Sequence, residues 1–233
     1  MSIICLEGAS AVGKSSTSMW RQERLNAYII QEVNKLFEQA EGTASTWYLE
    51  KQVERTMIAK TKHNNHKITI LDGDPFQPLW YNWCYDFEGW DSLKSIDEFY
   101  RAMIIEGQIQ FPDRYFYLYT TEEELRKRKE NDKSSKRNNF ERHLHFIKPQ
   151  RAYFKYMNQL EPSLVTFIHA ESRSNNIEII VKSLEEKKSK AISDLELYDR
   201  LVEWVRNNKA AEINNTLIEK RGGETSCQIK YSS

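Results

Sequence analysis

The run Gly8-Ala9-Ser10-Ala11-Val12-Gly13-Lys14-Ser15 places two glycines, a lysine and a hydroxyl at the spacing G-x-x-x-x-G-K-[ST]. Each position has a chemical reason. Glycines at Gly8 and Gly13 let a loop wrap closely around a polyphosphate, with Ala11, Val12 and Ser16 lending backbone N–H groups that point at its oxygens. The ammonium of Lys14 suits the β and γ phosphates, and the hydroxyl of Ser15 suits Mg²⁺. Asp72 closes the apolar run Ile68-Thr69-Ile70-Leu71, the pattern of a strand-end carboxylate that holds a metal; a turn-forming acid before Gly73 is the plainer alternative.

Two further groups of residues could do chemistry. Arg126, Lys127, Arg128 and Lys129, followed by Lys133, Lys136, Arg137 and Arg142, form a dense basic stretch. Such guanidinium and ammonium groups can close over phosphates and offset charge that develops during transfer. They can equally form a solvated helix face, since Glu122 to Glu124 and Glu130 balance much of the charge. Phe76, Trp80, Tyr81, Trp83, Tyr85, Phe87 and Trp90 crowd one short segment, with Trp47 and Tyr48 upstream. Planar ligands stack on such rings, and cores and subunit contacts use them too, so a homodimer is a possible partner arrangement. The five histidines show no metal-ligand spacing.

The elements that must position these groups alternate in type. Strands are expected over 3–6, 28–31, 68–71, 115–119 and 165–169. Helices are expected over 14–25, 45–63, 96–108, 122–132, 139–160, 176–188 and 194–209. Alternation of this kind makes a parallel sheet covered on both faces, here a three-layer α/β/α domain with five strands. The strand before Gly8 and the helix after Ser15 supply the setting that the glycine-lysine motif requires. Residues 1–190 form the expected catalytic domain, with a lid at about 121–145, and residues 191–233 an added helix and tail packed on it.

The whole chain narrows the field. It has 233 residues, enough for one such domain with a sizeable core. It carries 34 basic and 34 acidic residues, a balance that argues against a dedicated nucleic-acid binder. No apolar run approaches a membrane span, so no membrane partner is expected. The first strand begins almost at once, which leaves no room for a leader, and Cys5, Cys84 and Cys227 are odd in number and scattered. They read as reduced thiols in a cytoplasmic protein. The base-reading signature Asn-Lys-x-Asp is absent, and a motor ATPase would be larger.

With those residues in view, the chain resembles the nucleoside and nucleotide kinases, especially deoxynucleoside kinases and thymidylate kinase. The resemblance rests on Gly8 to Ser15, on Gln31-Glu32-Val33, on Trp47-Tyr48-Leu49-Glu50-Lys51-Gln52, and on Pro112 to Tyr119 running into a basic loop. It spans roughly the first 190 residues and implies a P-loop fold, ATP and Mg²⁺, and a small-molecule phosphoryl acceptor. It also implies roles. Glu32 stands where the family places an acid near the acceptor, and Asp74 is the rival candidate for the base that takes the acceptor's proton. Trp47 and Gln52, with Arg55 on the same helix, would contact the acceptor, beside Trp80 and Tyr81. Arg126 opens the lid helix and Arg137 lies in its loop, while Arg173 follows the last strand where these kinases cradle adenine. The sequence departs from the family in two places. The proline after the family's acid is missing, and Asp72-Gly73-Asp74 stands where an acid followed by arginine is usual. That departure keeps open a phosphotransferase for an antibiotic or another small metabolite, and a regulatory ATPase stands as a rival from a different class.

Overall fold

In the computed structural model, residues 2–14, 16–17, 26–63, 65–132, 140–186 and 190–214 are described. Five strands form one sheet: β1 (Ser2–Gly8), β2 (Ala27–Ile30), β3 (Ile68–Asp72), β4 (Arg114–Tyr119) and β5 (Val165–His169). Their order is β2-β3-β1-β4-β5, and every pairing is parallel. The central strands read as nearly unbroken apolar runs because both faces are covered; every residue of β3 is buried.

The faces alternate along each strand. Ile3, Cys5, Leu71, Tyr115 and Tyr117 enter one core, and Ile4, Leu6, Ile70, Phe116 and Leu118 enter the other. The first core takes residues of α2 (Trp47–His63), α3 (Gln77–Trp83), α4 (Leu93–Ile105), α7 (Ile147–Leu160) and α9 (Asp194–Asn207). The second takes residues of α5 (Glu122–Asn131), α6 (Phe140–Leu144) and α8 (Arg173–Glu185). The short α1 (Val33–Leu36) follows β2. This is the three-layer α/β/α arrangement expected from the alternation of elements.

Several boundaries differ from the expected ones for physical reasons. The helix expected over 139–160 is two, because Pro149 must sit in a first helical turn, and Phe146 at φ −105° and ψ 9° breaks the path before it. Helix α3 was hidden in the aromatic run; Pro78 lies in its first turn, where a missing N–H costs nothing. Helices α4, α8 and α9 begin where serines cap them, with Ser92, Ser172 and Ser193 accepting from the N–H groups of Ser95, Asn175 and Glu196. After the loop, Lys14, Ser16 and Thr17 are helical, and the rest of the helix expected to residue 25 lies outside the described residues.

Helix α9 shares the first core. Leu197, Tyr198, Leu201, Val202 and Val205 are buried there, and Tyr198 Oη donates to Ile96 O at 3.2 Å. Trp204 stacks on Tyr156 with 5.3 Å between ring centres, and Trp83 Nε1 donates to Asn208 O at 2.7 Å. Among the described residues, no helix is long and apolar enough to cross a membrane. Cys5 and Cys84 are free thiols, and Cys5 is buried.

Candidate active site

The strand order reverses at β1, and that is where an open parallel sheet leaves a crevice at the carboxyl ends of its strands. A cavity of about 1520 Å³ fills it. Gly8 to Lys14, Ser16 and Thr17 line one end, with Arg128, Ala170 to Arg173 and Asn176. Glu32, Lys35, Tyr48, Gln77, Trp80, Tyr81, Trp90, Asp91 and Phe146 line the other.

The loop is built for close approach. Gly8 sits at φ +135°, and a Cβ there would stand 2.1 Å from Leu118 O on the neighbouring strand. Gly13 is at φ +106° with open space around it, the backbone geometry glycine alone adopts without strain. Lys14 Nζ folds back onto Gly8 O at 2.7 Å. Burial opposes its charge, but Glu7, Glu32 and Asp72 outweigh burial and hold its ammonium above the usual lysine range.

Glu7, not foreseen from the sequence, is the hub beneath this loop. Its Oε1 accepts from Gly8 N at 2.8 Å and from Gln150 Nε2 at 3.1 Å, and its Oε2 accepts from Asp74 N at 2.9 Å. Burial raises its pKa, against the pull of Lys14 and of the backbone N–H groups. The available signal was a charge at the end of the otherwise apolar run 3–6, just before Gly8. Its partners lie 67 and 143 residues away and could not be read locally.

The carboxylates expected to act separate into two roles. Glu32 lines the cavity at the start of α1, half exposed, with Lys35 Nζ at 3.8 Å. Asp72 ends β3 and is buried; its Oδ2 lies 3.9 Å from Lys35 Nζ, and its Oδ1 has no hydrogen-bond partner among the described residues. Burial lifts the Asp72 carboxyl above the usual range, with Lys14 pulling it back down. Asp74 is fully buried and does not line the cavity. Its Oδ1 accepts from Phe76 N at 3.0 Å and Tyr115 Oη at 2.8 Å, and its Oδ2 accepts from Trp80 Nε1 at 3.1 Å. Burial, then the charge of Glu7, pushes its pKa up to about 7. Of these three carboxylates Glu32 alone lines the cavity; Asp72 does not, and Asp74 fixes α3 and its tryptophan.

The residues expected on α2 also sit below the surface of the site. Trp47, Gln52 and Arg55 are buried and do not line the cavity. Arg55 donates to Gln52 Oε1, to Asp72 O at 2.8 Å and to Gly73 O at 3.3 Å. Arg55 thus holds the turn at Asp72 and Gly73 from beneath, by its carbonyls. Tyr48, one turn away from Gln52, does reach the cavity. Its Oη donates to Gln77 Oε1 at 2.8 Å, and burial pushes its pKa up to about 12. Trp80 and Tyr81 line the cavity, joined by Trp90, whose ring meets that of Tyr81 edge-on at 5.5 Å.

On α5, Arg126 pairs with Glu122 and Glu141 in solvent, and Arg128 reaches the cavity. Residues two apart on a helix point to different faces, so one arginine of the pair had to turn away. Arg128 donates to Val12 O at 3.0 Å, to Ala170 O at 2.6 Å and to Glu124 Oε1 at 2.7 Å. It bridges the glycine-containing loop after β1 and the segment after β5. His143 on α6 also lines the cavity, and burial, then Lys14, hold its ring below the usual histidine range. Arg173 lines the cavity at the first turn of α8. Ser15 and Arg137 lie outside the described residues.

No family model matches the chain, and no curated protein matches it. Solved structures do. A deoxyadenosine kinase from M. mycoides with bound dATP is similar at TM-score 0.54 and 17% identity, over 79% of this chain and 100% of that one. A structure of the same enzyme with dCMP and a flexible dCDP gives TM-score 0.51 and 18% identity, over 78% of this chain and 98% of that one. Thymidylate kinase from Candida albicans gives TM-score 0.53 and 14% identity, over 81% of this chain and 96% of that one. The chain therefore has the P-loop α/β fold of the nucleoside and nucleotide kinases.

Proposed function

We propose that this protein is a small-molecule kinase that moves the γ-phosphoryl group of ATP, with Mg²⁺, to a nucleoside, a nucleotide or a similar planar acceptor. One observation carries the reading: a single cavity holds Lys14 and its glycine loop at one end and Glu32 with an aromatic wall at the other. The fold of the structural neighbours supports it.

The donor set suits the groups it would hold. The loop offers open backbone room for phosphates at Gly13, and Gly8 lets its start pass close against Leu118 of β4. The buried, unpartnered Oδ1 of Asp72 suits a hard cation, and Ser15 would add a hydroxyl oxygen. Among the described residues, no protein cluster could hold a metal by itself, so phosphate oxygens and water would complete the shell. MgATP, when bound, supplies the phosphoryl group and its leaving oxygen. Lys14 would exchange Gly8 O for phosphate oxygens and neutralise their charge. Arg128 would close the nucleotide end. Glu32 would orient the acceptor hydroxyl and take its proton. Trp80, Tyr81 and Tyr48 would hold the acceptor ring.

The departure at Asp72-Gly73-Asp74, with Arg55 holding that turn from below, keeps an antibiotic or other small-metabolite acceptor as the second reading. The deciding experiment is ATP turnover with and without a panel of nucleosides, nucleotides, aminoglycosides and chloramphenicol-type alcohols. A kinase turns over fast only with its acceptor. An unchanged, acceptor-independent rate across the panel would replace this reading with that of a regulatory ATPase.

A further inference from the structure

If the protein is the kinase proposed above, the acceptor end of its cavity selects by charge as well as by shape. Tyr48, Tyr81, Trp90 and Phe146 wall this end, and the acidic residues Glu32 and Asp91 line it with them. The described cations around it are engaged by the protein. Arg55 is sealed beneath, on the carbonyls of Asp72 and Gly73. Lys35 stands between Glu32 and Asp72, at 3.8 and 3.9 Å. Arg142 lies over the rings of Tyr85 and Trp90, with its guanidinium carbon 4.4 and 5.8 Å from their centres.

A phosphate monoester is close to a dianion at neutral pH. Binding one takes charge-assisted donors, for which a guanidinium fork is best shaped. Here such a group would meet two carboxylates, and like charges brought together cost several kcal/mol. A neutral or cationic molecule meets the opposite situation. Ring faces attract positive charge and stack on planar groups, and the carboxylates accept hydrogen bonds. The guanidinium of Arg142 already makes such a contact on this aromatic cluster.

We propose that the acceptor is an unphosphorylated alcohol, a ring compound that is neutral or positively charged, and that the site rejects phosphate monoesters. In the transfer, the acceptor hydroxyl oxygen forms a bond to the γ-phosphorus of ATP. The bond from that phosphorus to the β,γ-bridging oxygen breaks, ADP leaves with that electron pair, and the hydroxyl proton passes to Glu32. Asp91 sets the selectivity, because it adds a second acidic residue to the lining, next in the chain to Trp90.

The test uses the full chain with MgATP and matched pairs: deoxyadenosine and thymidine against their 5′-monophosphates, together with an aminoglycoside. ADP release is followed, and phosphorylated products are identified by mass spectrometry. An unphosphorylated member should be used at least about tenfold more efficiently, by kcat/KM, than any monophosphate. Asp91→Lys should shrink that ratio by about tenfold or reverse it, and Asp91→Asn should move it in the same direction. Preferred transfer to a monophosphate overturns this proposal and leaves the kinase reading intact. An unchanged ratio in Asp91→Lys, in protein that binds ATP normally, also overturns it. ATP hydrolysis indifferent to every acceptor overturns the kinase reading and this proposal with it.

Discussion

At the scale of single residues, Lys14 and Glu7 make a pair with separable effects. Lys14 Nζ donates to Gly8 O and otherwise faces the charges of Glu7, Glu32 and Asp72. Lys14→Ala should leave the fold in place and cut kcat by about 10²–10³, the scale of losing one donor to transition-state charge. Single-turnover kinetics on a variant with unchanged circular dichroism check this. Glu7→Gln acts differently. Glu7 accepts from three N–H groups, so an amide there must aim its own N–H at Gly8 N and Gln150 Nε2, or at Asp74 N. One buried donor is left facing a donor, which should cost about 1–3 kcal/mol of stability. Urea unfolding at pH 7 measures it, and a loss near zero would mean that the hub is not formed. The sequence shows Lys14 because its motif is local. It hides Glu7's role because that role is made of partners brought together by the fold.

At the scale of elements, helix α5 decides which arginine reaches the cavity. Helix α5 offers Arg126 and Arg128 on different faces, and only Arg128 reaches Val12 O and Ala170 O. Arg128→Ala should weaken nucleotide binding several-fold, and Arg126→Ala should leave it unchanged, since exposed ion pairs contribute little. Calorimetric titration with a nonhydrolysable ATP analogue reads both; equal losses would place Arg126 in the site after all. The elements themselves were largely legible. The alternation of elements marked α2, α5 and α9, and apolar runs marked the strands. What stayed hidden were the break at Phe146 and the short α3, because seven residues dense in rings carry no helical period to read. The reading of α2 as the acceptor-facing helix met the same limit. A pattern places Gln52 on a helix, but only packing shows that its amide turns toward Arg55 and that Tyr48 is the residue at the cavity.

At the scale of the whole molecule, Asp74 ties separate layers together through one carboxylate. Tyr115 from β4, Trp80 from α3 and the Phe76 N–H all donate to it, and its own N–H meets Glu7 at the end of β1. Its pKa, pushed up to about 7 in the folded protein by burial and then by Glu7, exceeds the value of about 3.9 for an unfolded aspartate. The folded state therefore binds more protons than the unfolded state between those two values, and stability must fall as pH rises through that window. The contribution is fully present below about pH 4 and is lost by the time pH passes about 7. Other carboxylates act in the same range, and Glu7 and Asp72 share the same direction through burial. The decisive measurement is thus a comparison. Asp74→Asn cannot titrate, although its amide must face the Trp80 N–H or another donor and so lowers stability at every pH. Urea midpoints from pH 5 to pH 8 should decline more steeply for the wild type than for Asp74→Asn, so the gap between them narrows as pH rises. Parallel profiles would show that Asp74 keeps an ordinary pKa, and that the contact between α3 and the sheet carries no proton of its own.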